Sequence, residues 1–290
     1  MTMMDERRRG SRVERVRARA RVWAGMLMVV VATAGCGSSH PERTPDGGVG
    51  VCEGLFGLPN DKTGLTAEQC QPQCTCGGQV WKAKVWDEAS VQALREWTLL
   101  DPPSGLSADP YLDAPPAVPD GSVCAVVVVD HDKKTYRLKT FASWDAAEAA
   151  GAIVTHGGIC GLCSPLSDLA VYAGEKDLTT PVRACGLQNL GDFDGDKQCL
   201  LQLGFSSPCA DIWAYNTMHT ATVCNQICLS LLDAPYNVAD GGINDCLACD
   251  EHMSGPVFKA YAGRTRRNTG VPSAICRPCS TVLHIEHDYE

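Results

Sequence analysis

Three groups of residues in this chain have types and spacings that could do chemistry. The run His156-Gly157-Gly158-Ile159-Cys160-Gly161-Leu162-Cys163 places two thiols two residues apart, between a β-rich run and a helical pattern that opens at Pro165. A Cys at the start of a helix faces free N–H groups and the positive end of the dipole, which favour its thiolate. Cys246/Cys249, with His252 three residues on, and Cys276/Cys279 repeat the spacing. Two such pairs supply the four ligands of a tetrahedral zinc site. In Asp192-Phe193-Asp194-Gly195-Asp196, alternate carboxylates on a Gly-containing turn present hard oxygens of the kind that hold calcium. His284 and His287, close to the chain end, are expected to be solvated rather than ligating.

The compartment decides which of these chemistries is available, and the N-terminus indicates the compartment. Arg7 to Arg21 is arginine-rich, and Val22 to Cys36 (VWAGMLMVVVATAGC) is an apolar run ending in small residues. That order reads as a secretory signal, and the run is too short to span a bilayer. Its end, Thr33-Ala34-Gly35-Cys36, resembles the lipobox of bacterial lipoproteins, with Thr33 where that family usually has Leu. The resemblance implies a signal peptide over 1–35 and a lipid on Cys36 that anchors the mature chain to a membrane. The expected location is the bacterial outer membrane or cell surface, with periplasm or secretion as the alternative. Of the 17 cysteines, setting Cys36 aside leaves sixteen, an even number suited to bridges. Export places them in an oxidising compartment, where oxidised cysteines are not metal ligands and a disulfide is the default.

Two further likenesses are local. The strand, Gly-containing loop, Cys-Gly-Leu-Cys and helix around Cys160 and Cys163 resemble the active-site region of thioredoxin-like oxidoreductases over some twenty residues. That resemblance implies thiol–disulfide exchange, with Cys160 as the attacking thiolate, Cys163 as the resolving thiol and His156 as a nearby charge modulator; Pro181, after Thr179-Thr180, is all that stands for the cis-proline loop of that family. A calcium loop of the EF-hand kind starting at Asp192 would need Gly at its sixth position and an acid at its twelfth, which here are Lys197 and Leu203. The leading reading of Asp192, Asp194 and Asp196 is a solvated acidic turn. No cofactor is expected other than this possible calcium.

The elements that position these residues follow from periodicity and punctuation. Residues 36–50 are rich in Ser, Pro and Gly and read as a flexible tether, and 51–100 as a Cys-rich N-terminal subdomain. Within it, Gln79 to Val85 alternates like a strand and Asp87 to Leu100 has a helical pattern. Residues 101–121 hold six prolines and form an irregular connection, either a boundary or a loop laid over the surface. The main Cys-rich α+β domain is expected over 122–290. It begins with a hairpin, Cys124 to Val129 and Thr135 to Phe141 around Asp130-His131-Asp132-Lys133-Lys134. Ser143 is placed to cap a helix over Trp144 to Ala150, Gly151 to end it, and Ala152 to Thr155 to add a strand. Beyond lie helical patterns at Pro165 to Ala173, Pro181 to Leu187, Gln198 to Phe205 and Cys209 to Leu232. In the last, Cys224, Ile227, Cys228 and Leu231 share one face, which favours bridges to a neighbouring element. The fold class is α+β: a small antiparallel sheet with several short helices, rich in disulfides.

Charge narrows the partners. The chain is net −9, and the first 35 residues hold eight Arg and three acids, so the remainder carries 17 basic against 31 acidic residues and is net −14. Such a balance argues against nucleic acid, which selects basic surfaces. The sequence has no G-x-S-x-G elbow, H-E-x-x-H helix or P-loop. The expected function is a binding or structural role at the cell envelope, towards a protein or small-molecule ligand that the sequence does not name. A thiol–disulfide oxidoreductase using Cys160 and Cys163 is the first alternative, and a zinc or calcium protein the second.

Overall fold

The structure, a computed structural model, describes residues 70–76 and 79–289. The expected signal peptide, tether and lipidated Cys36 lie outside them. The architecture is the expected α+β one, with two small sheets, several short helices and seven disulfides among the described residues. Strands β1 (Gln73–Cys76) and β2 (Gln79–Lys82) form an antiparallel pair. The second sheet comes from β3 (Thr98–Leu99), β4 (Val123–Asp130), β5 (Thr135–Phe141) and β6 (Ile153–Gly157), in the order β3-β5-β4-β6. The expected hairpin is β4–β5, and only the two-residue β3 pairs parallel.

Local chemistry accounts for the element ends. Ser143 accepts a hydrogen bond from the Ala146 N–H and starts α2 (Trp144–Ala149), and Gly151 follows with φ 66°, a left-handed conformation that glycine takes without strain. Asp87 caps α1 (Glu88–Arg95) in the same way, accepting from Ser90. The helical pattern expected to run to Leu100 stops at Arg95, because Thr98 and Leu99 pair with Thr135 and Tyr136 instead.

The strand β4 is buried from Val123 to Val126, since both faces of the sheet are covered. On one side Val123, Ala125 and Val154 pack with Trp144 and Ala147 of α2 and with Leu283 and Ile285. On the other, Val126 and Tyr136 join the main core with α3 (Leu166–Gly174), α5 (Phe193–Gln202) and α6 (Ser207–Val223), through Leu166, Leu169, Leu200 and Ile212. Fully buried aliphatic side chains of this kind each contribute about 1.5–3 kcal/mol. Asp168 of α3, fully buried, accepts from both the N–H and the hydroxyl of Ser206 at 2.7 Å and so fixes the start of α6. Burial nevertheless raises its pKa to about 6.

Segments distant in sequence are joined covalently. Cys70–Cys276 and Cys74–Cys279 tie β1 to the C-terminal segment across separations of 206 and 205 residues. Residues 70–100, read from sequence as part of a separate subdomain, thus fall in one compact unit with the rest of the described chain. Residues 101–121 form a loop over the surface, whose one regular turn is Pro110–Leu112. Leu106 N–H donates to Asp211 and Tyr111 O–H to Asn216, both on α6.

The last residues, by contrast, are not solvated. Ile285, His287 and Tyr289 are buried while Glu286 and Asp288 are exposed, and His284 stacks on Trp81 with centroids 4.0 Å apart. His287 meets the Thr269 carbonyl at 2.7 Å and the Tyr289 hydroxyl at 2.9 Å. Burial there lowers its pKa to about 3, so it is neutral and built into the core rather than free in solvent.

Candidate functional site

The Cys-Gly-Leu-Cys motif lies where expected, in the loop between β6 and α3, but its chemistry is corrected by its bonding. Cys160 is joined to Cys124 of β4, and Cys163 to Cys209 of α6. Neither sulfur is a free thiol poised against the other, and Cys163 is fully buried. The backbone N–H groups of Leu162 and Cys163 donate to the Tyr261 and Ala262 carbonyls of α9 (Gly255–Ala262). The loop is therefore anchored by a distant helix, and the donors that would stabilise a thiolate are occupied. His156 is fully buried and neutral: desolvation first, then the nearby Arg264 charge, holds its pKa well below the usual range. Its ring meets the Ser164 hydroxyl at 2.7 Å and the Gly157 carbonyl at 2.9 Å. It modulates no exposed thiol.

Both other CxxC pairs are bridged apart in the same way. Cys246 and Cys249 of α8 (Asp245–Met253) bond to Cys228 and Cys224, and Cys276 and Cys279 to Cys70 and Cys74. The expectation that Cys224 and Cys228 bridge to a neighbouring element holds, with α8 as that element. The zinc knuckles are thus replaced by disulfides, and His252 is exposed. The acidic run is corrected too, since it is the first turn of α5 rather than a loop. Asp192 caps the helix by accepting from the Gly195 N–H, Asp194 is exposed and Asp196 is buried beneath the helix. Among the described residues no three His, Cys, Asp or Glu side chains converge as metal ligands.

Two serine–histidine contacts resemble nucleophile and base in distance alone. Besides His156–Ser164, His219 Nδ1 lies 2.9 Å from Ser254 Oγ. Both serines are wholly buried, so neither hydroxyl can meet a substrate. The nearby Asp250 accepts from Thr220 and Asn216 rather than orienting His219. These groups form internal polar networks. The largest surrounds Arg264, which is fully buried and donates to the carbonyls of Thr155, Cys163 and Ser164 and to the Thr155 and Thr269 hydroxyls. Carbonyl dipoles and hydroxyls there replace the lost hydration of the charge.

The feature suited to binding is a cleft of about 690 Å³. It is lined by α4 (Thr179–Gln188), α6, α7 (Asn225–Ser230), α8, α9 and α10 (Arg266–Thr269). Tyr172, Trp213 and Phe258 supply aromatic surface: the Trp213 and Phe258 rings lie 4.6 Å apart, and Trp213 donates to the Tyr172 hydroxyl at 3.2 Å. Leu178, Val182 and Leu247 extend the apolar lining, and Leu187, Leu190, Leu229 and Leu232 are exposed where they border it. Six basic side chains and two acidic ones share the lining, in a chain that is net acidic. Volume and composition both fall in the range of small-molecule sites.

Sequence reasoning did not find this cleft, because its lining runs from Cys70 to Val282 and no local motif spans that range. One signal was present: Arg264-Thr265-Arg266-Arg267 is a dense basic run in an acidic chain, and two of its three arginines line the cleft. No curated protein matches the sequence, and no solved structure matches it. Residues 193–285, which carry α5 to α10, are similar to a family of unknown function, DUF8771.

Proposed function

We propose that this is an exported, lipid-anchored protein of the bacterial cell envelope whose disulfide-stapled domain binds a small apolar molecule in the cleft between α4, α6, α8 and α9. The cleft carries the reading: a concave, largely apolar surface on a chain whose other chemically suggestive motifs are occupied in structural bonds. Its walls are cross-linked, α4 to α5 by Cys185–Cys199 and the end of α6 and α7 to α8 by Cys224–Cys249 and Cys228–Cys246. A site held open in this way loses little conformational entropy when a ligand enters. Oxidised cysteines in this number support an extracytoplasmic location, and the lipobox-like Thr33-Ala34-Gly35-Cys36 supports a lipid anchor on Cys36.

The binding reading is tested with the neutral fluorophore N-phenyl-1-naphthylamine. The expected result is saturable enhancement at one site, lost in Ala221→Trp, where an indole is added to the α6 wall. Enhancement that does not saturate, or that survives Ala221→Trp unchanged, overturns the cleft as the site. For the anchor, radiolabelled palmitate should label the wild-type chain in cells and leave Cys36→Ser unlabelled; equal labelling of the two would refute it.

A further inference from the structure

We infer that the ligand of the cleft is an anionic amphiphile: a single apolar chain ending in a carboxylate or similar anionic group. The inference rests on the binding reading and adds the charge of the ligand to it. It comes from how the charged side chains of the lining are paired.

Of the six basic residues in the lining, Arg267 and Arg277 share the single carboxylate of Glu251. Three others lack a carboxylate within hydrogen-bonding distance among the described residues. Arg266 donates to the carbonyls of Tyr172, Pro272 and Glu175 and sits over the Tyr172 ring, 5.8 Å from its centroid. Arg183 donates to the Leu232 carbonyl and lies over Tyr236 at 5.9 Å. Lys176 follows the Glu175 whose carbonyl Arg266 holds, so these two cations belong to one corner of the site. Glu175 and Asp177 act on Arg266 only through space, since their hydrogen bonds go to other groups: Glu175 accepts from the Asp177 N–H, and Asp177 from Thr180 and Tyr236. A guanidinium held by carbonyl dipoles keeps its full charge while it is positioned. An arriving anion there gains charge-assisted hydrogen bonds without displacing a salt bridge.

Of the two acids in the lining, Glu251 is paired with its arginines, and Asp250 is tied to Thr220 and Asn216. The apolar part of the ligand is set by the remaining lining. The aromatic surface of Tyr172, Trp213 and Phe258 continues to the exposed Leu187, Leu190, Leu229 and Leu232 at its border, so one long chain finds apolar contact from interior to rim. A compact polar anion would leave that surface uncovered, and a neutral hydrocarbon would leave Lys176, Arg183 and Arg266 without a hydrogen-bonded anion.

The test is displacement of the same neutral fluorophore, on the full-length protein, by laurate, dodecanol and dodecyltrimethylammonium below their micellar concentrations. Laurate is expected to bind at least tenfold more tightly than dodecanol, with dodecyltrimethylammonium weakest. Lys176→Gln and Arg183→Gln, which remove charge from half-buried side chains, are each expected to weaken laurate about three- to tenfold. Neither should change dodecanol. Lys176→Arg should restore laurate binding. Equal affinities for laurate and dodecanol overturn the anionic assignment and leave the apolar cleft standing. Preference for the ammonium overturns it as well, with Asp250 as the group that would account for it. If the fluorophore does not bind at all, the binding reading itself has failed.

Discussion

Replacing Asp196 by Asn should stabilise the protein, and only above the pH at which the carboxyl ionises. Asp196 is 1% exposed and neither of its oxygens has a hydrogen-bond partner. Burial without compensation raises its pKa from 3.8 to about 6. Below about pH 4 the folded and unfolded chains both hold the proton, and the carboxyl makes no pH-dependent contribution. Between pH 4 and 6 the unfolded chain releases it while the folded chain keeps it, so stability falls as pH rises; above pH 6 the penalty is complete. Two pKa units at 1.36 kcal/mol each set an upper bound of about 3 kcal/mol, and the expected gain from Asp196→Asn is about 1–3 kcal/mol at pH 8. Asn has nearly the same shape and adds no charge, so little should change at pH 4. The assay is urea unfolding with disulfides intact, taking the midpoint of variant minus wild type at the two pH values. The difference isolates Asp196, because Asp168 titrates over the same window in both proteins. A difference independent of pH, or a variant that is less stable at pH 8, would refute the reasoning.

Other consequences follow from the buried polar groups and the disulfides. The pKa of His287 is depressed to about 3, so its contribution to stability is present above about pH 6.5 and declines as pH falls towards 3; its ring signals in NMR spectra should not titrate above pH 4, and a midpoint near 6.5 would contradict its burial. Peptide mapping without reduction should recover Cys124–Cys160 and Cys163–Cys209, and the protein should not accelerate insulin reduction by dithiothreitol; a Cys160–Cys163 peptide would revive thiol–disulfide exchange. Arg264→Met should cost about 3 kcal/mol or more in chemical unfolding, because it strands buried carbonyls of Thr155, Cys163 and Ser164; a loss under 1 kcal/mol would mean that water replaces the guanidinium.

What could be read from the sequence is what local chemistry determines. The β4–β5 hairpin follows from two β-rich runs around a polar turn, α2 from Ser143 and Gly151, and the bridging of Cys224 and Cys228 to a neighbouring element from their spacing, although the single helix expected over Cys209 to Leu232 breaks at Cys224 and leaves Ile227 exposed. Pairing over long range could not be read. Nothing near Cys70 names Cys276, 206 residues away, and nothing in Thr98-Leu99 announces a parallel partner in β5. The tail from His284 to Tyr289 shows how a weak signal was available. Ile285, His287 and Tyr289 alternate with Glu286 and Asp288, the period of an extended segment with one buried side, yet chain ends are by default solvated. The candidate chemistry misled for a related reason. A thiol after a strand and before a helix looks reactive locally; what passivates it is a strand cysteine 36 residues upstream and a helix almost a hundred residues downstream.

The disulfides and the cleft are linked by one physical requirement. A domain with an open apolar cleft forgoes burial that a closed core would supply, and exposed leucines at the border favour collapse or association. Cross-links that restrict the unfolded ensemble offset that loss, each typically by about 2–4 kcal/mol, and they do so without filling the cavity. Their placement fits this role: Cys185–Cys199, Cys224–Cys249 and Cys228–Cys246 join elements that form or support the walls, and Cys70–Cys276 lies beside the cleft near Ile275 and Arg277. Cys246, Cys249 and Cys276, which in sequence suggested a zinc centre, thus cross-link the walls of the cleft, and Cys246 itself lines it. If so, selective reduction of the Cys224–Cys249 and Cys228–Cys246 pair should abolish fluorophore binding before the β4–β5–β6 sheet unfolds, because that sheet shares no disulfide with α8.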